Sequence, residues 1–342
     1  MKKKATMRDI AQKLDVSVVT VSKALADKEG PGETLRQKIK QYAKESGYSY
    51  NPLPRHMKNG KTGNIGVIIS QKFLADTNHY YWKLFETVKT RINSLHYFAI
   101  LEVIPLGVEK ESVLPEIITE GKVDGILVIG QFSGEYLKQL YTSGMPIFLL
   151  DFYDDNDSAP AFVADNMYGS YMITNYLIKN GHRDILFVGN IHSTSSIMDR
   201  YLGYMRALIE NRIPLRAVSY IDDRDEDGTY IDLMLPESMP DAFVCNNDNV
   251  AATLIGTLEK AGYPVPEAIS VVGFDNFSTS HHSNITTVEV NINAMVNSAV
   301  ESMIKKIDDP FFEVCRHFAN CRLIVKDTVK KMPPETADSA SS

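Results

Sequence analysis

Apolar residues near the start of the chain recur at helical spacing. Met7, Ile10, Ala11 and Leu14 fall at i, i+3, i+4 and i+7, one face of a first helix. Thr6 stands just before it with Asp9 three residues on, the spacing of a side-chain cap. Asp15, Val16 and Ser17 make a tight turn, and Ser17 is placed to cap a second helix over 18–26. Val21, Ala24 and Leu25 give that helix its inward face. Ala11 is small where two crossing helices approach closely, and Val16 can fill the space under the turn. The outward face keeps Val18, Val19, Thr20, Ser22 and Lys23, short residues and one cation. Leu35, Ile39, Tyr42 and Ala43 pattern a third helix, ended by Gly47. Together the three predict a helix-turn-helix, whose second helix presents its N-terminal residues to base edges in the major groove.

From Gly63 the period changes. NIGVIIS has no polar alternation, as in a strand buried on both faces of a parallel sheet. Helical and extended patterns then alternate through WKLFETVKTRINSL, YFAILEVI, SVLPEIITEG, DGILVIG, EYLKQLYTSG and PIFLLD. That repeat predicts a doubly wound α/β domain. The pattern restarts at AFVADN and runs to ISVVGFD, which predicts two lobes with a cleft between them.

Charge changes the picture at the same boundary. Residues 1–62 carry 14 Lys and Arg against 6 Asp and Glu, and the remainder carries 22 against 37. A basic head on an acidic body fits polyanion binding by the head alone. No apolar run is long enough to span a bilayer. No apolar signal core follows the basic MKKKATMRDI, so a cytoplasmic location is expected. Cys245, Cys315 and Cys321 fit no metal spacing or disulfide framework, and neither a metal nor a cofactor is expected.

In open α/β sheets ligands sit beyond the carboxyl ends of the strands. Asp151 ends PIFLLD, Asn246, Asn247 and Asp248 end DAFVCNND, and Asp275 ends ISVVGFD, while Arg200 precedes YLGYMRAL. Asp248, just before VAATLIG, also reads as a helix cap. The stretch SQKFLADTNHYYWKLF holds Phe73, His79, Tyr80, Tyr81 and Trp82. His79 and Tyr81 are its candidate ligand contacts, whereas Trp82 and Phe85 suit the buried face of the first helix of the body. The pairs Asp154–Asp155 and Asp222–Asp223 read as solvated turns, and adjacent His281 and His282 lack a third metal ligand.

The run DIAQKLDVSVVTVSKAL, then GYSYNP, then RHMKNGKTGNIGVII resembles the lactose-repressor (LacI) family of bacterial transcription regulators over nearly the whole chain. The resemblance implies a small helical DNA-binding domain with a hinge segment at 1–62. It further implies a two-lobed α/β effector and dimerisation domain, similar to periplasmic sugar-binding proteins, at 63–330. The polar tail at 331–342 is expected to be disordered. The implied DNA contacts are Thr6, Ser17, Val18, Val19, Thr20, Ser22, Lys23, Tyr48, Asn51 and Arg55, with Met57 as the minor-groove wedge. The implied effector contacts are Asp151, Arg200, Asn247 and Asp275, the Arg and carboxylates bonding sugar hydroxyls.

This sequence departs from the family pattern in several places. Asp15 stands where Gly is usual in the turn, Gly32 replaces the Ser or Thr cap of the third helix, Pro54 stands where Ala is common, and Lys23 replaces a frequent Arg. Val18 and Val19 offer apolar contact to thymine methyls, so a T·A pair is expected opposite each recognition helix. The expected protein is therefore a homodimeric repressor of a roughly palindromic double-stranded DNA operator, with no membrane partner, governed by a small effector, a sugar or sugar derivative. No heptad pattern follows Val329, which favours a dimer over a tetramer. A purine or a phosphorylated carrier protein is an alternative signal. A cytoplasmic sugar-binding enzyme is a further alternative, but no G-x-G-x-x-G, nucleophile elbow, H-E-x-x-H or phosphate loop is present.

Overall fold

The computed structural model describes residues 5–25, 29–48, 60–74, 79–155, 159–225, 228–277 and 284–331, without the side chain of His79. Two compact units emerge, Met1–Gly63 with Asn93–Phe98, and Asn64–Ile92 with Ala99–Ser342.

The first unit contains α1 (Met7–Lys13), α2 (Val18–Leu25) and α3 (Glu33–Glu45). Thr6 and Asp9 form the reciprocal cap at the start of α1. Asp15 takes the left-handed backbone of the turn at φ 51°, a conformation that Asp tolerates better than most side chains. Ile10, Ala11, Val21, Ala24, Leu25, Ile39 and Ala43 make one buried core, with Leu14 and Val16 packed against it. Gly32 begins α3 without a side-chain hydrogen bond.

The body opens with β1 (Asn64–Ser70), then α4 (His79–Ser94), β2 (Phe98–Ile104), and the short α5 (Leu106–Lys110) and α6 (Glu116–Thr119). It continues with β3 (Ile126–Ile129), α7 (Gly134–Tyr141), β4 (Ile147–Leu150) and β5 (Ala161–Ala164). Next come α8 (Asn166–Lys179), β6 (Ile185–Val188), α9 (Ser195–Glu210), β7 (Tyr220–Ile221), β8 (Ala242–Cys245), α10 (Asp248–Lys260) and β9 (Ser270–Val272). The described chain closes with β10 (Thr287–Val290), α11 (Ile292–Asp308), β11 (His317–Ala319) and β12 (Cys321–Ile324). Among the described residues, no helix is long and apolar enough to cross a membrane.

One sheet has the order β11-β5-β4-β3-β1-β2, a second the order β7-β6-β8-β9, and β10 pairs antiparallel with β12. Strand β5 corrects the sequence reading. AFVADN does not begin the second lobe; β5 lies between β4 and β11 in the first sheet, parallel to both. Sequence order misleads here because the chain passes between lobes three times, after β5, after β10 and after β11. These crossovers bond to one another: Asp165 N–H donates to the Ala319 carbonyl at 3.0 Å, and Asn291 N–H to that of Asn320 at 3.2 Å. The α4 helix buries Tyr80, Leu84, Val88 and Ile92, a four-residue spacing. Trp82 falls off that stripe and is 42% exposed, touching Phe85 edge-on. It is a surface residue, against the expectation of a buried face.

Candidate functional site

The carboxyl ends of β4, β8 and β9 face one cavity, as the strand-end rule requires. Helix α9 starts on a capping bond in which Thr194 Oγ1 accepts from the Ile197 N–H, and it brings Arg200 into the same space. Its guanidinium is fixed on three sides. Nε donates to Asn166 Oδ1 at 2.8 Å, Nη1 to the Asn246 carbonyl at 2.5 Å, and Nη2 to Asp275 Oδ1 at 3.0 Å. The Phe274 ring lies 3.9 Å from the guanidinium carbon. Fork geometry and a flat aromatic partner both suit Arg and would not be reproduced by Lys.

Asp151 faces Arg200 from the other lobe, and only 5% of it is exposed. Tyr80 Oη donates to its Oδ1 at 2.9 Å, and Ser196 Oγ to its carbonyl at 2.6 Å. Burial pushes the Asp151 carboxyl up to about 7, overcoming the pull of Arg200 and of the Tyr80 and Tyr81 hydroxyls. Burial likewise raises Asp275, against the Arg200 charge. Asp151 and Asp275 have φ 73° and 93°, an unusual backbone at two strand ends aimed into one cavity. The cavity is about 50 Å³, space for water and less than a sugar ring, given roughly 30 Å³ per water. Beside it the lobes bond to each other: Tyr153 N–H donates to Ser195 Oγ at 3.1 Å, Tyr153 Oη to Asp199 at 2.7 Å, and Ser196 Oγ to the Asp151 carbonyl.

Asn247 caps α10, its Oδ1 accepting from the Val250 N–H at 2.9 Å, so the expectation that Asp248 is the cap is corrected. Asp248 points inward instead. It accepts from Thr287 Oγ1 and from the Phe277 N–H, both at 2.7 Å, which ties the segment after Asp275 to β10. Burial pushes its carboxyl up to about 8. The expectation of a solvated Asp222–Asp223 turn holds for Asp222, which is exposed, and fails for Asp223. Asp223 is 1% exposed and holds Arg224 through Nε at 3.0 Å and Nη2 at 2.6 Å, because the turn folds under Asn190 and Asn246 rather than out to water. Asp154 is engaged as well, accepting from Tyr141 Oη at 2.8 Å.

The cavity thus gathers Asp151, Arg200, Asn247, Asp275 and Tyr81 from the sequence-based set. Sequence reasoning missed Tyr80, Arg224 and Tyr230, which also line it, with Arg224 4.7 Å from the Tyr230 ring. The strand-end rule applied to β7 was the signal available for Arg224. His79 begins α4, and its side chain lies outside the described residues, as do His281 and His282.

On the head, α2 exposes Val18 by 40% and Val19 by 65%, and Lys23 beside them is exposed. Ser17 Oγ accepts from the Thr20 N–H at 3.0 Å and lies 2.9 Å from the Thr20 hydroxyl. Thr6 is exposed at the tip of α1, its hydroxyl donating to Asp9 at 2.8 Å. Ser22 is half-buried, and Tyr48, also half-buried, packs against the head core. Asn51, Arg55 and Met57 lie outside the described residues.

Comparison with known proteins matches both parts of the chain. Residues 6–51 match the model of bacterial regulatory proteins of the lacI family, and residues 174–329 match that of a periplasmic binding protein-like domain. An HTH-type transcriptional repressor PurR from Vibrio campbellii is 27% identical over 336 residues, 96% of this chain and 99% of the relative. A transcriptional regulator CelR–cellobiose complex superposes with a TM-score of 0.66 at 20% identity, covering 95% of this chain and 99% of that one. The lac repressor dimer bound to operator and the anti-inducer ONPF gives 0.66 at 19%, covering 96% and 100%. At those identities the two structures carry the fold alone.

Proposed function

Because the chain belongs to the lacI family of bacterial regulatory proteins, a family of DNA-binding transcriptional repressors with an effector domain, we propose that its operator affinity is set by a small polyhydroxylated effector, a sugar or sugar derivative, held between Asp151 and Arg200. The observation that carries this reading is the convergence of Arg200, Asp275 and Asp151 on one cavity. A sugar hydroxyl is both donor and acceptor, and a guanidinium beside carboxylates satisfies both roles. The effector acts through its difference in affinity between lobe arrangements that favour and disfavour DNA binding.

DNA binding is assigned to Thr6, Ser17, Thr20, Ser22, Lys23 and Tyr48 with Asn51 and Arg55, with Val18 and Val19 meeting thymine methyls and Met57 as a minor-groove wedge. The protein acts in the cytoplasm as a homodimer on a roughly palindromic operator and catalyses no reaction; the dimeric neighbour and the regulator relatives support that reading. His79 and Tyr81 complete the effector set.

A purine is the second reading, favoured by the relative named PurR and by the rings of Tyr81, Tyr230 and Phe277 around the cavity. A thermal-shift screen over sugars, sugar phosphates and purines tests the effector site. A stabilising compound whose effect disappears in Arg200→Ala supports the assignment, and an undiminished shift contradicts it.

A further inference from the structure

The cavity's charges are unevenly matched. Each guanidinium in it is already paired, Arg200 with Asp275 at 3.0 Å and Arg224 with Asp223 at 2.6 Å. Two further carboxyls, Asp151 and Asp248, line the same space and are held by neutral donors, Tyr80 Oη, Thr287 Oγ1 and the Phe277 N–H. No lysine is among the described lining residues. With every carboxyl ionised, four negative groups face two positive ones. With Asp151 and Asp248 protonated, as burial favours, the count is two against two. In neither state do the described lining residues leave a cation over for an anionic ligand.

Resting on the effector reading above, we infer that this cavity selects an uncharged effector and excludes its phosphorylated counterpart. A phosphate dianion entering here gives up its hydration and meets carboxylates whose field the two guanidinium groups already cancel. It would have to break a buried Arg–Asp pair to gain a bidentate partner, and the released carboxylate would then stand uncompensated beside it. Hydroxyl, amide and ring-nitrogen ligands carry no such cost. They find donors at Arg224 Nη1, for which no partner exists among the described residues, and an acceptor at the second oxygen of Asp275.

The test is isothermal titration of the full-length protein with inorganic phosphate and with two matched pairs, glucose and glucose 6-phosphate, ribose and ribose 5-phosphate. The same titrations are run on Asp275→Asn, which frees Arg200. Wild type is expected to bind neither inorganic phosphate nor either ester. The variant is expected to gain affinity for at least one ester by about tenfold or more, the equivalent of about one pKa-scale step in binding free energy. If Asp275→Asn does not fold, as judged by circular dichroism, Asp151→Asn is titrated at pH 8, above the value of about 7 to which burial pushes the wild-type carboxyl, where the substitution removes a negative charge and is expected to show a gain of the same sign. A wild-type protein that binds an ester more tightly than the matching free sugar overturns the inference, and so does a folded variant with no gain. Binding of no free sugar at all, with the variant gain intact, instead counts against the sugar reading of the effector and leaves the charge selection standing.

Discussion

Nη2 of Arg200 donates to Oδ1 of Asp275 at 3.0 Å, and both side chains are at least nine-tenths buried. The pair spans 75 residues of sequence and joins the start of α9 to the end of β9. Arg200→Ala strands the Asp275 carboxylate and removes the partner of Asn166 Oδ1. Breaking a buried pair on one side costs about 3–5 kcal/mol. Urea unfolding is expected to show a loss of that order, and Arg200→Lys is expected to recover only part of it, since an ammonium cannot bond Asn166, Asn246 and Asp275 together. A full recovery by Lys would show that charge alone, and not the fork, is what the site uses.

Stability should fall as pH rises through neutrality, in part because of Asp151. Its folded carboxyl is pushed up to about 7 by burial, against roughly 3.9 in an unfolded chain. Between those values the folded protein holds a proton that the unfolded chain has released, so this contribution is complete below about pH 4 and is lost as pH rises to 7. Asp248 acts in the same direction up to about 8. At 1.36 kcal/mol per unit, Asp151 accounts for at most about 4 kcal/mol. Denaturant midpoints at pH 5, 6.5 and 8 should therefore decline more steeply in wild type than in Asp151→Asn. Parallel profiles would remove Asp151 as the titrating group.

Gly203 sits where α9 crosses α8. A Cβ built there lies 2.1 Å from the Met167 carbonyl oxygen and 2.9 Å from the Tyr171 nitrogen, both backbone atoms. Gly203→Ala forces the helices apart and should cost about 1–3 kcal/mol or more. Because α9 carries Arg200, the same substitution should weaken effector binding without touching the cavity. Thermal denaturation together with calorimetric titration checks both effects.

The head separates folding from recognition. Thr6→Ala removes the reciprocal cap with Asp9 and should cost about 1 kcal/mol of head stability. Val19→Ala, at 65% exposure, should change stability by less than about 0.5 kcal/mol. It should nevertheless weaken binding to a selected operator and relax its thymine preference. A binding selection with no thymine preference opposite α2 would remove that contact from the account.

These residues also show what the sequence made legible. Periodicity revealed the head, because one face of each short helix is buried and the spacing of Ile10, Ala11, Val21, Ala24 and Ile39 records it. The α/β alternation was equally plain, since strands such as β3 and β4 are buried throughout. The assignment of β5 to a lobe was hidden, because the crossovers at Asp165, Asn291 and Asn320 are far apart in sequence and meet only in the fold. Asn247 and Asp248 are both competent caps, and packing beside Gly273 and Thr287 decides which one turns inward. Asp223 and Arg224 lie in an acidic stretch that looks solvated, and only the partners Asn190, Asn246 and Tyr230 bury them.

Control of the head's grip on DNA by ligand binding at Arg200 can be read by fluorescence anisotropy on an operator obtained by selection from random duplexes, with and without the compound that stabilises the protein in the thermal screen. The compound is expected to shift the wild-type operator Kd by about five- to 150-fold, the usual range of allosteric coupling. Folded Arg200→Ala is expected to bind the operator with no response to the compound. An operator Kd that ignores the compound in wild type, or a response that survives in Arg200→Ala, would contradict that control.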